Sequence, residues 1–315
     1  MKIVIPDWST MSAVNMGFSA FEEFGEVTCC GLTRPEDAVA AIGDAEVVLV
    51  NKTPITAEVM DKCPNLKYIG LFATGYNNID IPAATAHGIT VCNAGEYSTQ
   101  GVIQHTFALL LSLAGNLPRY GKAVCEGEWE RSETFSYFPY PTCEISGKTL
   151  AIIGYGSIGR GVAKVADAFG MRVIVNTRTK PENCPFELVS QEEAFRQADI
   201  LTVHCPLTEK TADLLRKETL ALMKPTAFVI NTARGGIADE QAVADALNSG
   251  RIAGYGTDVL VKEPMSPDTP LKSAKNCIIT PHIAWAAAET RERLVGIVAD
   301  NLRNYLQGTP TNKVN

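Results

Sequence analysis

Short apolar runs alternate with amphipathic helical patterns along most of the chain. Five strand-like runs occupy the first third, at residues 3–5, 27–30, 47–50, 68–72 and 90–92. Helical patterns lie between them, for example at residues 35–42 and 56–63. Strands that are apolar throughout are typical of a parallel sheet that helices cover on both faces. The pattern therefore predicts an α/β fold.

A second α/β region follows the first. It opens with a longer helix, predicted over about residues 98–113, and a polar and aromatic stretch at residues 119–146. The alternation then resumes with six predicted strands, at residues 150–153, 172–175, 200–205, 227–230, 254–257 and 277–280. A last helix is predicted over about residues 286–306, and Gly308 closes it.

The length of 315 residues is typical of two domains. We predict that residues 98–285 form the second domain, because they contain the complete set of six strands. The last helix is then expected to return to the first domain. That domain would comprise residues 1–97 and 286–315.

Composition disfavours several classes of protein. A formal net charge of −7 repels nucleic-acid phosphates and anionic membranes, so neither is expected as a partner. The nine cysteines form no C-x-x-C pair, which favours buried thiols in a reducing compartment over disulfides, and no metal site is expected. The first residues lack the apolar core of a signal peptide, and no segment is apolar enough to span a bilayer. We therefore expect a cytoplasmic protein.

A glycine-rich motif at residues 154–159 follows a predicted strand and opens a helical pattern. In this setting Gly154 permits a tight turn, Gly156 lets the backbone approach a pyrophosphate, and Gly159 lets helix and strand pack closely. The helix start offers N–H groups and the positive end of its dipole to phosphates. The motif predicts a dinucleotide cofactor. A glycine-rich turn in an unrelated α/β protein is the weaker alternative, because both flanking elements fit.

The next predicted strand leads into Asn176, Thr177, Arg178 and Thr179, where NAD-binding folds usually carry an acid. The nearest acid downstream is Glu182. A carboxylate would repel the 2′-phosphate of NADP, whereas hydroxyl groups and a guanidinium suit it. We therefore favour NADP as the cofactor. NAD is the alternative if Arg178 is only a solvated surface charge.

Polar residues follow several predicted strands at their carboxyl ends, where open α/β sheets bind ligands. Three of them, Arg234, Glu263 and His282, suit the reduction of a 2-oxo acid. Arg234 can bind the substrate carboxylate through two hydrogen bonds. His282 can protonate the carbonyl oxygen, and a carboxylate such as Glu263 favours the protonated imidazole. Each residue alone is more often structural, but the combination beside a nucleotide loop favours function.

The motifs and their order resemble the D-isomer-specific 2-hydroxyacid dehydrogenase family. The matching segments are residues 74–80, 154–159, 204–208, 231–236, 258–264 and 281–282. The resemblance implies two doubly wound parallel-sheet domains, a flavodoxin-like substrate domain and a Rossmann cofactor domain, with an interdomain cleft. It also implies a homodimer. Arg234 would bind and polarise the substrate, His282 would be the acid/base and Glu263 its partner.

The resemblance also implies which residues bind the ligands. Backbone amides around Thr74, Gly75 and Tyr76 would hold the substrate carboxylate. Asp258 and the backbone of Thr232 would contact the nicotinamide end. The candidate cofactor-binding residues are Gly154, Gly156, Ser157, Ile158, Gly159, Asn176, Thr177, Arg178, Thr179, Cys205, Pro206, Thr211, Thr232, Ala233, Asp258, His282 and Ala284.

Finer features resemble glycerate dehydrogenases, also called hydroxypyruvate reductases. These are residues 51–53, 104–106 and 135–138, together with Trp285. Lys52 would help to hold a small polar substrate such as hydroxypyruvate, and Trp285 would close the pocket. A surface lysine and a packing aromatic are equally weighted alternatives. The substrate can also be another 2-oxo acid such as glyoxylate, or the chain can be a nucleotide-sensing regulator like the corepressors that share this fold.

Overall fold

The computed structural model describes residues 1–11 and 17–315. The strands are β1 Lys2–Ile5, β2 Glu26–Cys29, β3 Val47–Val50, β4 Tyr68–Leu71, β5 Thr90–Cys92, β6 Thr149–Ile153, β7 Arg172–Asn176, β8 Glu187–Leu188, β9 Ile200–Val203, β10 Phe228–Asn231, β11 Gly254–Thr257 and β12 Cys277–Ile279. The α-helices are α1 Ala38–Ile42, α2 Ala57–Lys62, α3 Ile81–Ala86, α4 Thr99–Ala114, α5 Leu117–Cys125, α6 Ser157–Ala168, α7 Gln191–Gln197, α8 Lys217–Leu220, α9 Glu240–Asn248 and α10 Ala288–Leu306.

The chain divides into two compact units. Unit 1 comprises Met1–Ser98 and Ala286–Asn315, so α10 belongs to it. Unit 2 comprises Thr99–Trp285.

Unit 1 is built on a five-stranded parallel sheet in the order β2-β1-β3-β4-β5. All four residues of β3 and of β4 are buried, which accounts for their uninterrupted apolar sequences. Helices begin where side chains cap them: Thr56 accepts a hydrogen bond from Val59 N, and Asp80 accepts one from Ala83 N. The five predicted strands are confirmed to within one residue at each end.

Unit 2 is built on a seven-stranded parallel sheet in the order β12-β11-β10-β9-β6-β7-β8. The predicted α/β class with two parallel sheets is confirmed. The predicted number of six strands was wrong, because β8 has only two residues and both are exposed. Helix α5 was not predicted, because most of it lies in the polar stretch at residues 119–146. It begins at Leu117 and has one fully buried side chain, Ala123.

The strand order of unit 2 creates a switch point in the sheet. From β6 the chain moves outward to β7 and β8 on one side, and then returns to place β9, β10, β11 and β12 on the other. Ligands of open α/β sheets bind beyond the carboxyl ends of the strands at such a switch point. The predicted glycine motif lies there, in the loop after β6 and the first turn of α6.

Among residues 1–11 and 17–315, none of the helices has the length and apolar character needed to cross a bilayer. All nine cysteines are free thiols. Cys63 and Cys92 are buried, whereas Cys125 and Cys143 are exposed, so the expectation of buried thiols was wrong for these two. They lie at the end of α5 and in the loop before β6.

His204 is a half-buried histidine that directly follows β9. Both of its ring nitrogens are buried without a hydrogen-bond partner among the described residues. Burial lowers the pKa of His204 from 6.5 to about 3. As the pH falls below 6.5, the unfolded chain therefore takes up a proton that the folded chain does not bind until about pH 3. The contribution of His204 to stability is present above pH 6.5 and is lost toward pH 3.

We expect His204→Leu to remove this part of the pH dependence of stability. One such histidine lowers the free energy of unfolding by about 1.4 kcal/mol for each pH unit by which the pH falls below 6.5. Denaturant unfolding between about pH 5 and pH 7 measures the slope. His87→Gln is the control, since the His87 side chain is 36% exposed and pairs with Asp61. Equal slopes for the two variants would contradict the assignment.

Candidate active site

The glycine loop of unit 2 has the geometry that a dinucleotide site requires. Gly154 has a φ of +96°, which L side chains rarely adopt. A Cβ on Gly154 would lie 2.7 Å from the backbone nitrogen of Cys205, and one on Gly159 would lie 2.2 Å from the carbonyl oxygen of Gly154. A Cβ on Gly156 would meet nothing within 4 Å. Two glycines thus serve close packing, and the third borders open space.

The helix that follows the loop leaves its first turn open to an anion. Helix α6 has 12 residues, and its N-cap, Gly156, provides no side-chain hydrogen bond. No acidic residue occupies the first turn. The N–H groups and the positive dipole end therefore suit a pyrophosphate next to Gly156. The residues present fit a dinucleotide cofactor, with Ser157, Ile158 and Gly159 in the first helical turn.

The end of β7 carries the residues predicted to select the cofactor. Asn176 donates its side-chain amide to the carbonyl oxygen of Val189 at 3.0 Å, which ties it to the sheet edge. Thr177 is half-buried, whereas Arg178 and Thr179 are exposed. Arg178 is therefore accessible to a ligand at this edge.

The remaining cofactor candidates lie after β9, β10, β11 and β12, at the same edge of the sheet. Thr211 closes the loop after β9, because its hydroxyl donates to the carbonyl oxygen of Pro206 at 2.7 Å and accepts from Thr208 N at 2.8 Å. Cys205 is half-buried, and burial raises the pKa of its thiol. Ala233 is half-buried.

Arg234, Glu263 and His282 line one cavity of about 190 Å³. The Nδ1 atom of His282 lies 2.6 Å from Oε2 of Glu263. The other carboxylate oxygen, Oε1, accepts a hydrogen bond from Leu260 N at 2.9 Å. The His282 and Glu263 side chains are 33% and 37% exposed, so both are accessible. Because Glu263 is hydrogen-bonded to Nδ1, Nε2 is the ring nitrogen that can exchange a proton with a ligand.

Asp258 holds the backbone that follows His282. It is 1% exposed, and its carboxylate accepts hydrogen bonds from Ile283 N and Ala284 N, both at 2.8 Å. The Thr280 hydroxyl donates to the same carboxylate at 2.6 Å. His282 itself has a φ of +57°, in the left-handed region. The carboxylate therefore fixes the segment that turns the imidazole toward Glu263.

Asn231 is a site residue for which no role was predicted. It is fully buried at the end of β10, and its side chain accepts from Ala233 N and donates to the carbonyl oxygen of Arg234, both at 3.0 Å. Arg234 is exposed, and its Nη1 donates to the carbonyl oxygen of Ala233 at 2.7 Å. An asparagine directly after a buried strand was the available signal, since such residues close turns through their own backbone.

His105 was also missed. This residue of α4 places Nε2 2.8 Å from the Thr280 hydroxyl and 3.4 Å from Oδ1 of Asp258. On the next residue of α4, the hydroxyl of Thr106 lies 3.1 Å from that of Thr232. Gln104, His105 and Thr106 were noted as a subfamily feature, but nothing in the sequence indicated that His105 and Thr106 contact residues more than a hundred positions away.

The predicted substrate residues of unit 1 follow neighbouring strands. Lys52 comes after β3, and Thr74, Gly75 and Tyr76 come after β4, so they lie at one edge of the sheet. The Thr74 carbonyl oxygen accepts from Asn93 Nδ2 at 2.7 Å. Tyr76 is 39% exposed. The two predicted substrate segments thus follow the carboxyl ends of paired strands.

Trp285, the last residue of unit 2, is half-buried. A larger cavity of about 520 Å³ lies at the amino ends of the strands and contains none of the predicted site residues. Within residues 1–11 and 17–315, no group of three or more His, Cys, Asp or Glu side chains is arranged to hold a metal ion.

Comparison with known proteins identifies the class to which this fold and site belong. Residues 107–284 match the family model described as D-isomer specific 2-hydroxyacid dehydrogenase, NAD binding domain. A hydroxypyruvate reductase of Blautia hydrogenotrophica is 41% identical over 323 residues, covering 100% of both chains. The chain belongs to the D-isomer specific 2-hydroxyacid dehydrogenase family and is an NAD(P)-dependent oxidoreductase.

Two further relatives are informative. A glycerate dehydrogenase of Methylorubrum extorquens is 38% identical, covering 99% of this chain and 98% of the relative. The crystal structure of an NADPH-dependent glyoxylate/hydroxypyruvate reductase from Sinorhizobium meliloti, in complex with citrate, superposes with a TM-score of 0.86. It is 28% identical and covers 99% of this chain and 97% of that one.

Proposed function

We propose that the chain reduces hydroxypyruvate to D-glycerate with NADPH, and glyoxylate to glycolate as a second reaction. The observation that carries the reaction type is the 2.6 Å contact between His282 and Glu263 in a cavity shared with Arg234. The choice of substrate is supported by relatives named hydroxypyruvate reductase and glycerate dehydrogenase.

In the proposed mechanism the chain binds the substrate and supplies one proton. A nicotinamide cofactor held at the glycine loop would supply the hydride for the carbonyl carbon. The Arg234 guanidinium binds and polarises the 2-oxo acid through N–H groups other than the one that Ala233 uses. His282 donates the proton on Nε2 to the carbonyl oxygen, while Glu263 at Nδ1 holds the ring and favours its protonated form. In the oxidation direction His282 takes up that proton.

The two units divide the binding tasks in this proposal. Unit 2 is the cofactor domain, which is supported by the match of residues 107–284 to an NAD binding domain. Unit 1 is the substrate domain, where Lys52 and the backbone amides around Gly75 bind the substrate carboxylate. Trp285 closes the pocket. We further propose a homodimer in the cytoplasm, and the mass measured by light scattering tests the dimer.

NADP is the preferred cofactor in this proposal. Support comes from the exposed guanidinium of Arg178 after β7 and from the absence of an acid among residues 176–181. A 2′-phosphate gains charge-assisted hydrogen bonds from a guanidinium, whereas a carboxylate at this position would repel it. The Sinorhizobium meliloti relative is named as NADPH-dependent.

Initial rates with hydroxypyruvate test the function and the cofactor together. We expect rapid oxidation of NADPH, a lower kcat/KM with NADH, and a slower reaction with glyoxylate. Arg178→Ala should raise the KM for NADPH about 10-fold, the scale of one hydrogen bond between charged groups, and leave the KM for NADH unchanged. Arg196→Ala, in helix α7, is a matched control because it changes an exposed arginine of the same unit that lies outside the glycine loop.

Each part of the proposal can fail separately. A preference for NADH would reject the cofactor assignment and keep the enzyme class. Turnover of other 2-oxo acids but not of hydroxypyruvate would reject the substrate. Dinucleotide binding without turnover of any 2-oxo acid would favour a nucleotide-sensing regulator.

A further inference from the structure

Asp7 is a fully buried carboxylate in unit 1, two residues beyond the end of β1. Its oxygens accept hydrogen bonds from three successive backbone N–H groups: Asn51 at 3.0 Å, Lys52 at 2.5 Å and Thr53 at 2.7 Å. The Thr53 hydroxyl also donates to Asp7, at 3.1 Å. Successive N–H groups that converge in this way form an anion-binding concavity in the backbone. Here the anion is a side chain of the protein itself.

The same three residues, which we call the clamped turn, are also held at two of their carbonyl groups. Asn78 donates its side-chain amide to the carbonyl oxygens of Asn51 and Thr53, at 3.4 and 3.1 Å. The Asn51 amide donates to the Thr10 hydroxyl at 2.9 Å. The backbone of Asn78 is fixed in turn, because its carbonyl oxygen accepts from Ile55 N at 2.9 Å. The clamped turn is thus fixed through both its donors and its acceptors.

Lys52 is the exposed residue of the clamped turn. Asn51 and Thr53 on either side of it are only 4% and 3% exposed. A rigid backbone restricts the directions in which the lysine side chain can leave the turn. Ordering a lysine against an anion costs side-chain entropy, and a group that is preorganised loses less of it on binding. Fixing the clamped turn therefore strengthens any contact that the Lys52 ammonium makes with an anionic ligand.

We propose that Asp7 is a positioning residue for Lys52, and that Asn78 has the same role from the carbonyl side. Asp7 holds the clamped turn so that the ammonium of Lys52 meets the carboxylate of a small 2-oxo acid. This inference rests on the proposed function, because that function supplies the anionic substrate. Asp7 itself is buried and does not touch the substrate.

Steady-state kinetics of Asp7→Asn and Asn78→Ala test the positioning role. Asparagine keeps the shape of aspartate but removes its charge and turns an NH₂ group toward Asn51 N, which then loses its 3.0 Å hydrogen bond to Oδ1 and keeps only the longer one, 3.2 Å, to the other oxygen. We expect the KM for hydroxypyruvate to rise about 10-fold in each variant, since 1.4 kcal/mol of binding corresponds to that factor. The kcat and the KM for NADPH should not change. Asp44→Asn is the control, because Asp44 is a carboxylate on the surface of the same unit.

A double-mutant cycle with Lys52→Met separates positioning from a general structural effect. Lys52→Met alone should raise the KM for hydroxypyruvate about 10-fold, and adding Asp7→Asn should raise it no further, because coupled residues are not additive. The proposal would be overturned if Asp7→Asn raised this KM by the same factor in the wild-type background and in the Lys52→Met background. A variant that lowers kcat and stability and leaves KM unchanged would also overturn it.

Failure of the proposed function is distinguishable from failure of this inference. If the wild-type enzyme turns over no 2-oxo acid, calorimetric titration with oxalate replaces KM as the measurement. Weaker oxalate binding in Asp7→Asn and in Lys52→Met, with no further loss in the double variant, would support positioning without turnover. Unchanged oxalate affinity in both variants, or no binding to the wild type, would overturn the inference.

Discussion

Replacing His282 with asparagine is expected to lower kcat for hydroxypyruvate reduction by about 100-fold or more, the scale of general acid catalysis. Asparagine removes the imidazole that carries the proton. It also tolerates the φ of +57° at this position better than alanine does, so the backbone segment that Asp258 holds should remain in place. A large loss of turnover in a folded variant would therefore report the missing proton donor.

Cofactor binding supplies the control for this experiment. NADPH fluorescence titration should show that His282→Asn still binds the cofactor. Glu263→Gln should cost less than the histidine variant, about 10-fold in kcat, because the amide can still accept a hydrogen bond from the ring. Near-wild-type turnover of His282→Asn would reject the assignment of the proton donor.

Much of the fold was predictable because most of its strands are buried on both faces and read as continuous apolar runs. Of the twelve strands among the described residues, eleven were predicted, including β2 and β12, whose residues are half-buried or exposed. The strand that escaped, β8, has two exposed residues and is held to β7 by pairing rather than by burial. Helix α5 escaped for a related reason, since Ala123 is its only fully buried side chain.

The residues of the candidate site also differ in how far the sequence predicts them. Arg234, Glu263 and His282 were predictable because they follow strands whose carboxyl ends share one edge of a sheet. The residues that hold them in place were not predictable. His105 and Glu240 act through hydrogen bonds to partners that tertiary structure brings near, as when Glu240 accepts from Val261 N, 21 residues away in the chain. Asn231 differs, because its partners Ala233 and Arg234 are two and three residues away.

Gly235→Ala is expected to lower activity strongly, although it adds only one methyl group. A Cβ at this position would lie 1.9 Å from the carbonyl carbon of Leu260 and 2.4 Å from the nitrogen of Val261. These are backbone atoms, and they cannot yield freely. Leu260 N donates to Glu263 at 2.9 Å, and Val261 N donates to Glu240 at 2.8 Å. Making room for the methyl group therefore moves the segment that orients Glu263 away from the segment that carries Arg234.

A displacement of about 1 Å at a catalytic group costs on the order of 100-fold in rate, and we expect a loss of kcat/KM of that size for Gly235→Ala. Overpacking should also lower the free energy of unfolding by about 1–3 kcal/mol, measured by denaturant titration. Gly236→Ala is the matched control, because its Cβ would meet only the end of the Leu207 side chain, at 3.0 Å. A flexible side chain can rotate away, so this variant should retain most of its activity and stability. Equal losses in the two variants would show that the contact between the segments of Arg234 and Glu263 does not set the geometry of the site.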